Sequence, residues 1–249
     1  MKLLEVKHFD VSIDLNGNST SIIGPESSGK TLLLKKLINR IPNEDIWIDN
    51  VCINDYDISF LKNNIFVVFD DDTFKCEYVA EELFFYLNAL GYMIDEITKR
   101  ITSIVKFFKL SGYENKKIDS LNVEMRTYIK ILSMLIVDPS IIGIDNLFPY
   151  LTSEHIDLIL KYIKKKKISL INVINSGEYL KYTDDVIVLN EGKCAIKTNV
   201  KDLLRGNSIL PYVGIKLPFA VELSNNLMLY GLIDKVLYDN ESLEVKLWK

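Results

Sequence analysis

Residues 24–31 read GPESSGKT and fit the pattern GxxxxGK[ST]. A loop of this kind turns successive backbone N–H groups, together with the positive end of the helix that follows, toward bound phosphates. Gly24, Pro25, Glu26, Ser27, Ser28, Gly29, Lys30 and Thr31 are therefore the candidate nucleotide-binding residues. Lys30 has the reach to meet β- and γ-phosphates, Thr31 carries a hydroxyl that can ligate Mg²⁺, and Gly24 and Gly29 allow the backbone to bend. An accidental glycine-rich turn is the bland alternative. The setting argues against it, because the loop follows the strand-like STSIIG and opens the helix-like KTLLLKKLINRI.

A phosphate loop needs a carboxylate on a neighbouring strand to complete the magnesium shell. SIIGID supplies Asp145 at a strand's C-terminal end, so Thr31 and Asp145 are the candidate metal residues. Read blandly, Asp145 only caps a loop. The next residue, Asn146, is an amide where a second acid would be useful.

The elements that must hold these residues alternate between strand and helix patterns. DVSIDL and STSIIG read as strands on either side of an NGN turn, and NIFVVFDDD as another strand ending in three aspartates. Residues 77–136 are mainly helical by periodicity. PSIIGID and KISLINVIN are the apolar runs of parallel strands covered on both faces, and DDVIVLNEGKCAI is a strand, a turn and a return strand. After a break near 199–214 comes a helix at about 217–230, then a terminal strand SLEVKLWK. The fold class is α/β with a mostly parallel central sheet.

Composition narrows the function. The 249 residues, 48% of them apolar, can bury a sizeable core as one large domain, or as one of about 200 residues with an appendage. Thirty basic against thirty-four acidic residues leave a net charge of −4, which gives no support for nucleic-acid binding. The one dense basic run, KYIKKKKIS at 161–169, suits a helix C-terminus. Cys52, Cys76 and Cys194 lack CxxC spacing and read as reduced thiols, and His8 and His155 are too isolated for a histidine metal site. The N-terminus is too charged for a signal peptide, and no apolar run approaches the roughly 18 residues of a membrane span.

LNVEMRTYIKILSMLIVDPSIIGIDNLF, residues 121–148, resembles the signature helix and magnesium-binding strand of ATP-binding cassette (ABC) ATPases, in register and without a gap. DDVIVLNEGK is similar to that family's strand and turn after its switch histidine, and GIKLPFAVELSNNLMLYGL looks like the C-terminal segment of energy-coupling-factor transporter ATPases. The resemblance covers about 9–232 and implies a P-loop NTPase fold with ATP and Mg²⁺ as ligands. It also implies cassettes paired head to tail, each nucleotide held between one P-loop and the other subunit's signature.

Carried over residue by residue, the resemblance marks several departures. Asn146 stands where the family has the glutamate that polarises water, and an amide cannot act as a general base. Asn175 falls at the switch histidine, Asp70 at the glutamine that senses magnesium and water, and Thr152 at the D-loop aspartate. In LNVEM, Val123 and Glu124 replace the two signature glycines, which sets a carboxylate where a partner's γ-phosphate would lie. Ser27 replaces a loop glycine, Glu26 brings a negative charge near phosphate, and no aromatic before the loop is clearly placed to stack on adenine.

The expected architecture is an ABC-type ATP-binding domain over 1–205, with a helical subdomain at about 77–136, and a C-terminal extension over 206–249 acting as a dimerisation segment. The expected function is the ATP-binding subunit of an energy-coupling-factor importer of a vitamin or metal ion, weak or silent in hydrolysis. Its partners would be a second ABC ATPase subunit, as homo- or heterodimer, and a transmembrane coupling subunit. It would lie in the cytoplasm at the inner membrane face, touching the membrane only through those partners. The aromatic run ELFFYLNALGY at 82–92 favours core over a surface for the membrane partner. Two alternatives stay open. One is a non-transport regulatory or scaffold subunit; the other is a small-molecule kinase, which would want an arginine-rich lid, whereas 100–130 holds only Arg100 and Arg126.

Overall fold

The computed structural model describes residues 1–38, 44–205 and 209–248. Its centre is a six-stranded sheet in the order β10-β9-β3-β8-β7-β6. The strands are β3 (Ser19–Ile23), β6 (Ile65–Val68), β7 (Ile141–Asp145), β8 (Ser169–Ile174), β9 (Asp185–Asn190) and β10 (Lys193–Asn199). All pairs are parallel except β9–β10, which turn back through Glu191 and Gly192 as NEGK suggests. A four-stranded antiparallel sheet, absent from the sequence reading, contains β1 (Leu3–Val6), β2 (Val11–Asp14), β4 (Ile46–Ile48) and β5 (Val51–Cys52). DVSIDL and STSIIG are thus strands of two different sheets, joined at the NGN turn.

Alternation along the central strands divides the core. Ile141, Ile171, Val173 and Ile187 point to one face, where α1 (Lys30–Leu37) packs through Leu33, Leu34 and Leu37 beside the small sheet. Ile142, Ile144 and Leu170 point to the other, against α5 (Val123–Leu135) and α6 (Ser153–Lys166). Between these come α2 (Ile58–Asn64), α3 (Val79–Ala89) and α4 (Ile94–Phe107), so the helical stretch expected at 77–136 is present. The first helix was expected to run to 41, and the part beyond 38 lies outside the described residues. The Lys164–Lys166 run ends α6, with Lys167 left-handed at φ 56°, which fits a solvated helix end.

The C-terminal elements are α7 (Val200–Leu204), α8 (Ile209–Tyr212), α9 (Phe219–Leu229) and α10 (Asn240–Leu247). The expected boundary at 206 falls outside the described residues. Val213, Ile215, Val221 and Val236 share one core with Ile23 of β3 and Ile174 of β8, so this segment covers the main sheet. The expected terminal strand is instead helix α10. Asp239 caps it by accepting from Ser242 N at 2.7 Å, and only Leu243 of its alternating apolar residues is buried. Without a neighbouring strand the alternation in SLEVKLWK has nothing to pair with, and the cap decides the conformation. The run at 82–92 divides likewise: Leu83 and Leu87 are core, whereas Phe84 and Phe85 are exposed.

Leu34 is fully buried between α1 and β7, where Gly143 has no side chain to fill the space. Leu34→Ala is expected to cost about 2–5 kcal/mol of stability, read from the midpoint of a urea titration.

Candidate functional site

Strand β3 ends at Ile23 and α1 begins at Lys30, and the six residues between them turn the chain through a loop whose backbone faces one end of the sheet. Gly29 precedes the helix at φ 97°, and the Phe9 ring lies 2.6 Å from where its Cβ would stand. Ser27 takes φ 63°, a left-handed conformation that costs an L residue roughly 1–3 kcal/mol. Gly24 differs from the expectation of a bend: its φ is not positive, and close approach is what requires it. A Cβ there would sit 2.2 Å from Leu189 O and 2.7 Å from Ser28 Oγ.

The Lys30 ammonium folds back over the loop, donating to Gly24 O at 2.8 Å and Pro25 O at 2.7 Å. Burial pushes its pKa down, and Asp145 and Glu26 oppose that. Thr31 Oγ1 donates to Asp145 Oδ2 at 2.8 Å, which joins the head of α1 to the end of β7. Burial pushes the Asp145 carboxyl up, with Thr31 and Lys30 working against it. These residues line a cavity of about 420 Å³ bounded by Glu26 to Leu32, Asp145 and Asn175. Among the described residues no group of three or more His, Cys, Asp or Glu side chains is placed to hold a metal. One carboxylate beside one hydroxyl nevertheless fits Mg²⁺, which usually takes its remaining ligands from water and substrate phosphates.

The structure brings the loop, Thr31, Asp145 and Asn175 together, with Asn146 beside them. Asn146 is left-handed at φ 53°, its N–H donates to Val173 O at 2.9 Å, and its Oδ1 accepts from Asn175 N at 3.3 Å. Two of the residues that depart from the family pattern are thus joined, the Asn146 side chain to the Asn175 main chain. Asp70 does not line the cavity. Its main-chain O accepts from Lys130 Nζ at 2.7 Å and its carboxylate from Tyr150 OH at 3.4 Å, while Asp72 caps the turn by accepting from Phe69 N at 2.8 Å.

Glu124 corrects the sequence reading. It lies in the first turn of α5, behind the Asn122 cap, but its carboxylate turns inward and accepts from Thr152 N at 3.2 Å. Its Oε1 is also 2.8 Å from His155 Nδ1, outside hydrogen-bond alignment, so that contact acts through charge when the imidazole is protonated. His155 in turn stacks on Tyr128 with centroids 3.9 Å apart. The carboxylate is therefore engaged by its own chain. Lys130, Tyr150 and His155 were not singled out as site residues. The one available signal was a lysine inside the apolar stretch YIKILSMLIV.

A family model for ABC transporters matches residues 8–148, more than half of the chain. The energy-coupling factor transporter ATP-binding protein EcfA of Aster yellows witches'-broom phytoplasma is 26% identical over 243 residues, covering 94% of this chain and 89% of that one. Among solved structures, CbiO1 from Clostridium perfringens, part of the ABC transporter complex CbiONQ, is similar with a TM-score of 0.74 at 22% identity, over 89% of this chain and 98% of that one. The ATP-binding cassette MJ0796, in a dimeric post-hydrolysis state bound to ADP and Pi, is similar with a TM-score of 0.67 at 21% identity, over 80% and 99%.

The packing of Gly24 under Leu189 gives a direct test. Gly24→Ala is expected to displace the loop and weaken Mg-ATP binding at least about tenfold, or roughly 1.4 kcal/mol, by titration calorimetry.

Proposed function

The chain belongs to the ABC transporter family, and from that premise we propose that it is the ATP-binding subunit of an energy-coupling-factor importer for a vitamin or metal ion, binding Mg-ATP with little or no hydrolysis of its own. One observation carries this reading: the Thr31–Asp145 contact and Lys30 keep a phosphate and magnesium site beside an Asn146 that has no base to offer. Lys30 would exchange its loop carbonyls for β- and γ-phosphates. Thr31 and Asp145 would hold Mg²⁺, which supplies charge neutralisation on the phosphate oxygens.

Hydrolysis asks for more. A water needs a positioned base, a role worth about 100-fold to 10,000-fold in rate, and the Asn146 amide cannot take its proton. Asn146 Oδ1 is already engaged by Asn175 N, and Asp70 is held away by Tyr150 and Lys130. Any turnover in a complex would then depend on the catalytic residues of a second ATPase subunit. That partner's P-loop would meet LNVEM, and this chain's P-loop would meet the partner's signature.

The EcfA relative supports the importer type, the CbiO1 likeness supports assembly with other transporter components, and the dimeric cassette supports pairing, as homo- or heterodimer. Exposed Phe84 and Phe85 on α3 support a surface for a transmembrane coupling subunit. Among the described residues no helix is long and apolar enough to cross a membrane, so the membrane would be reached through that subunit, at its inner face. Residues 206–249 would serve as a dimerisation segment. A regulatory or scaffold subunit is the second reading, favoured by the engagement of Asn146 Oδ1 by the Asn175 main chain, which suits a nucleotide that is sensed and not hydrolysed.

Two measurements test the proposal. Calorimetry should detect Mg-ATP binding to the chain, and Lys30→Ala should weaken it by about 1.5–3 kcal/mol, the value of a charge-assisted contact. Phosphate release should be well below about 1 per second, the low end of ordinary enzymes, for both wild type and Asn146→Glu. Restoring one member of a group that acts together gains little. Absence of ATP binding, or fast turnover by the isolated wild type, would refute the reading.

A further inference from the structure

Three segments in which the family resemblance marks departures, around Asp70, Glu124 and Thr152, are joined here by contacts unrelated to nucleotide. Lys130, six residues along α5 from Glu124 and about 9 Å further up the helix, donates to Asp70 O at 2.7 Å, with Phe69 O at 3.4 Å. Asp70 Oδ2 accepts from Tyr150 OH at 3.4 Å. Two residues on from Tyr150, Thr152 N donates to Glu124 Oε1 at 3.2 Å, which returns the path to α5. The circuit is closed: Lys130, Asp70, Tyr150, Thr152, Glu124 and the helix back to Lys130.

We infer that Glu124, Lys130 and Tyr150 are positioning residues that close a polar ring through the segments 69–73, 121–126 and 148–155, so that the surface these segments form is assembled before any nucleotide binds. None of the ring contacts involves residues 24–31 or Asp145. The far end of the first loop is anchored as well. Glu82, a buried carboxylate on α3 with 1% exposure, accepts from Lys75 N at 2.8 Å and Cys76 N at 2.9 Å. The loop around Asp70 is thereby tied to α3 and α5.

Lys130 and Glu124 are half-buried, whereas Asp70 and Tyr150 are exposed. Burial pushes the Lys130 ammonium down, with Arg126 acting in the same sense, while Asp70, Asp72 and Asp71 oppose that. Burial works against the Glu124 carboxylate, but the Thr152 hydrogen bonds and His155 outweigh it and hold its pKa below the ordinary value. In a closed ring each contact keeps the others at high effective concentration, so removing one loosens those it does not touch. The identity of the occupant of this surface, a second cassette, rests on the function proposed above; the ring itself does not.

Amide hydrogen exchange on the full chain tests the ring directly. Without nucleotide, Glu124→Ala is expected to speed exchange at least about fivefold in 121–126 and 148–155, and also in 69–73, where Glu124 makes no contact. Lys130→Met, which keeps the length and packing of the side chain, is expected to do the same in 69–73 and 148–152. Glu124→Gln keeps an acceptor for Thr152 N and should stay within about twofold of wild type. Changes confined to each residue's own contacts would overturn the ring. Saturating Mg-ATP added to wild type should slow the amides of 24–33 and leave the three segments within about twofold. Slowing of those segments by about tenfold or more would overturn assembly in advance of nucleotide. No slowing in 24–33 would instead refute the Mg-ATP reading, while the variants still decide the ring.

Discussion

Strands β3, β8 and β7 run parallel and finish level with one another, and the binding end of the molecule hangs from those three ends. The register pairs Ile23 with Ile174 and Asp145 with Val173, so the phosphate loop, Asn175 and Asp145 all leave the sheet at one height. A slip of one residue in β7 would turn Asp145 into the core and bring Ile144 to the mouth of the loop. The parallel arrangement holds because both faces are covered: α1 and the small sheet lie on one side, α5, α6 and the C-terminal helices on the other. Local chemistry then acts at a place that tertiary packing has chosen.

At that place binding and chemistry separate cleanly. Phosphate binding needs backbone N–H groups, one lysine and one hydroxyl, and these follow from a short contiguous stretch. Proton transfer needs a carboxylate, an imidazole and an amide brought from distant segments. In this chain those segments carry Asn146, Asn175 and Asp70, and the contacts of all three are with the protein's own groups: Asn175 N on Asn146 Oδ1, and Tyr150 OH on Asp70 Oδ2. Ser27 is left-handed at some cost, so the loop holds its geometry even with an unfavourable residue.

How much could be read without coordinates follows from the same separation. GPESSGKT and the acid ending SIIGID are local patterns with one structural solution, so both were legible and both lie where expected. The small antiparallel sheet was not, because fragments such as IWI and VC are too short to show a period. SLEVKLWK was misread because alternation alone cannot reveal that no strand stands beside it. Gly24 was rightly marked for an inexact reason: the carbonyl of Leu189, from a strand more than a hundred residues away, makes the position intolerant of a side chain. Glu124 is the sharpest case. Its place in the signature suggests a charge facing outward, and only the position of the α6 N-terminus shows that it has Thr152 and His155 to face inward.

The core shared by Ile23, Ile174, Val221 and Val236 also has a consequence for how the protein is made. The strand that launches the phosphate loop receives part of its cover from residues made well after β3 and β8. At roughly 5–20 residues per second, that face of the nascent sheet stays open to the cell for several seconds after β8 has emerged. During this interval the newborn chain carries an apolar surface that invites premature association, so its yield in a cell would depend on whatever shields that surface until α9 and the residues around it fold back.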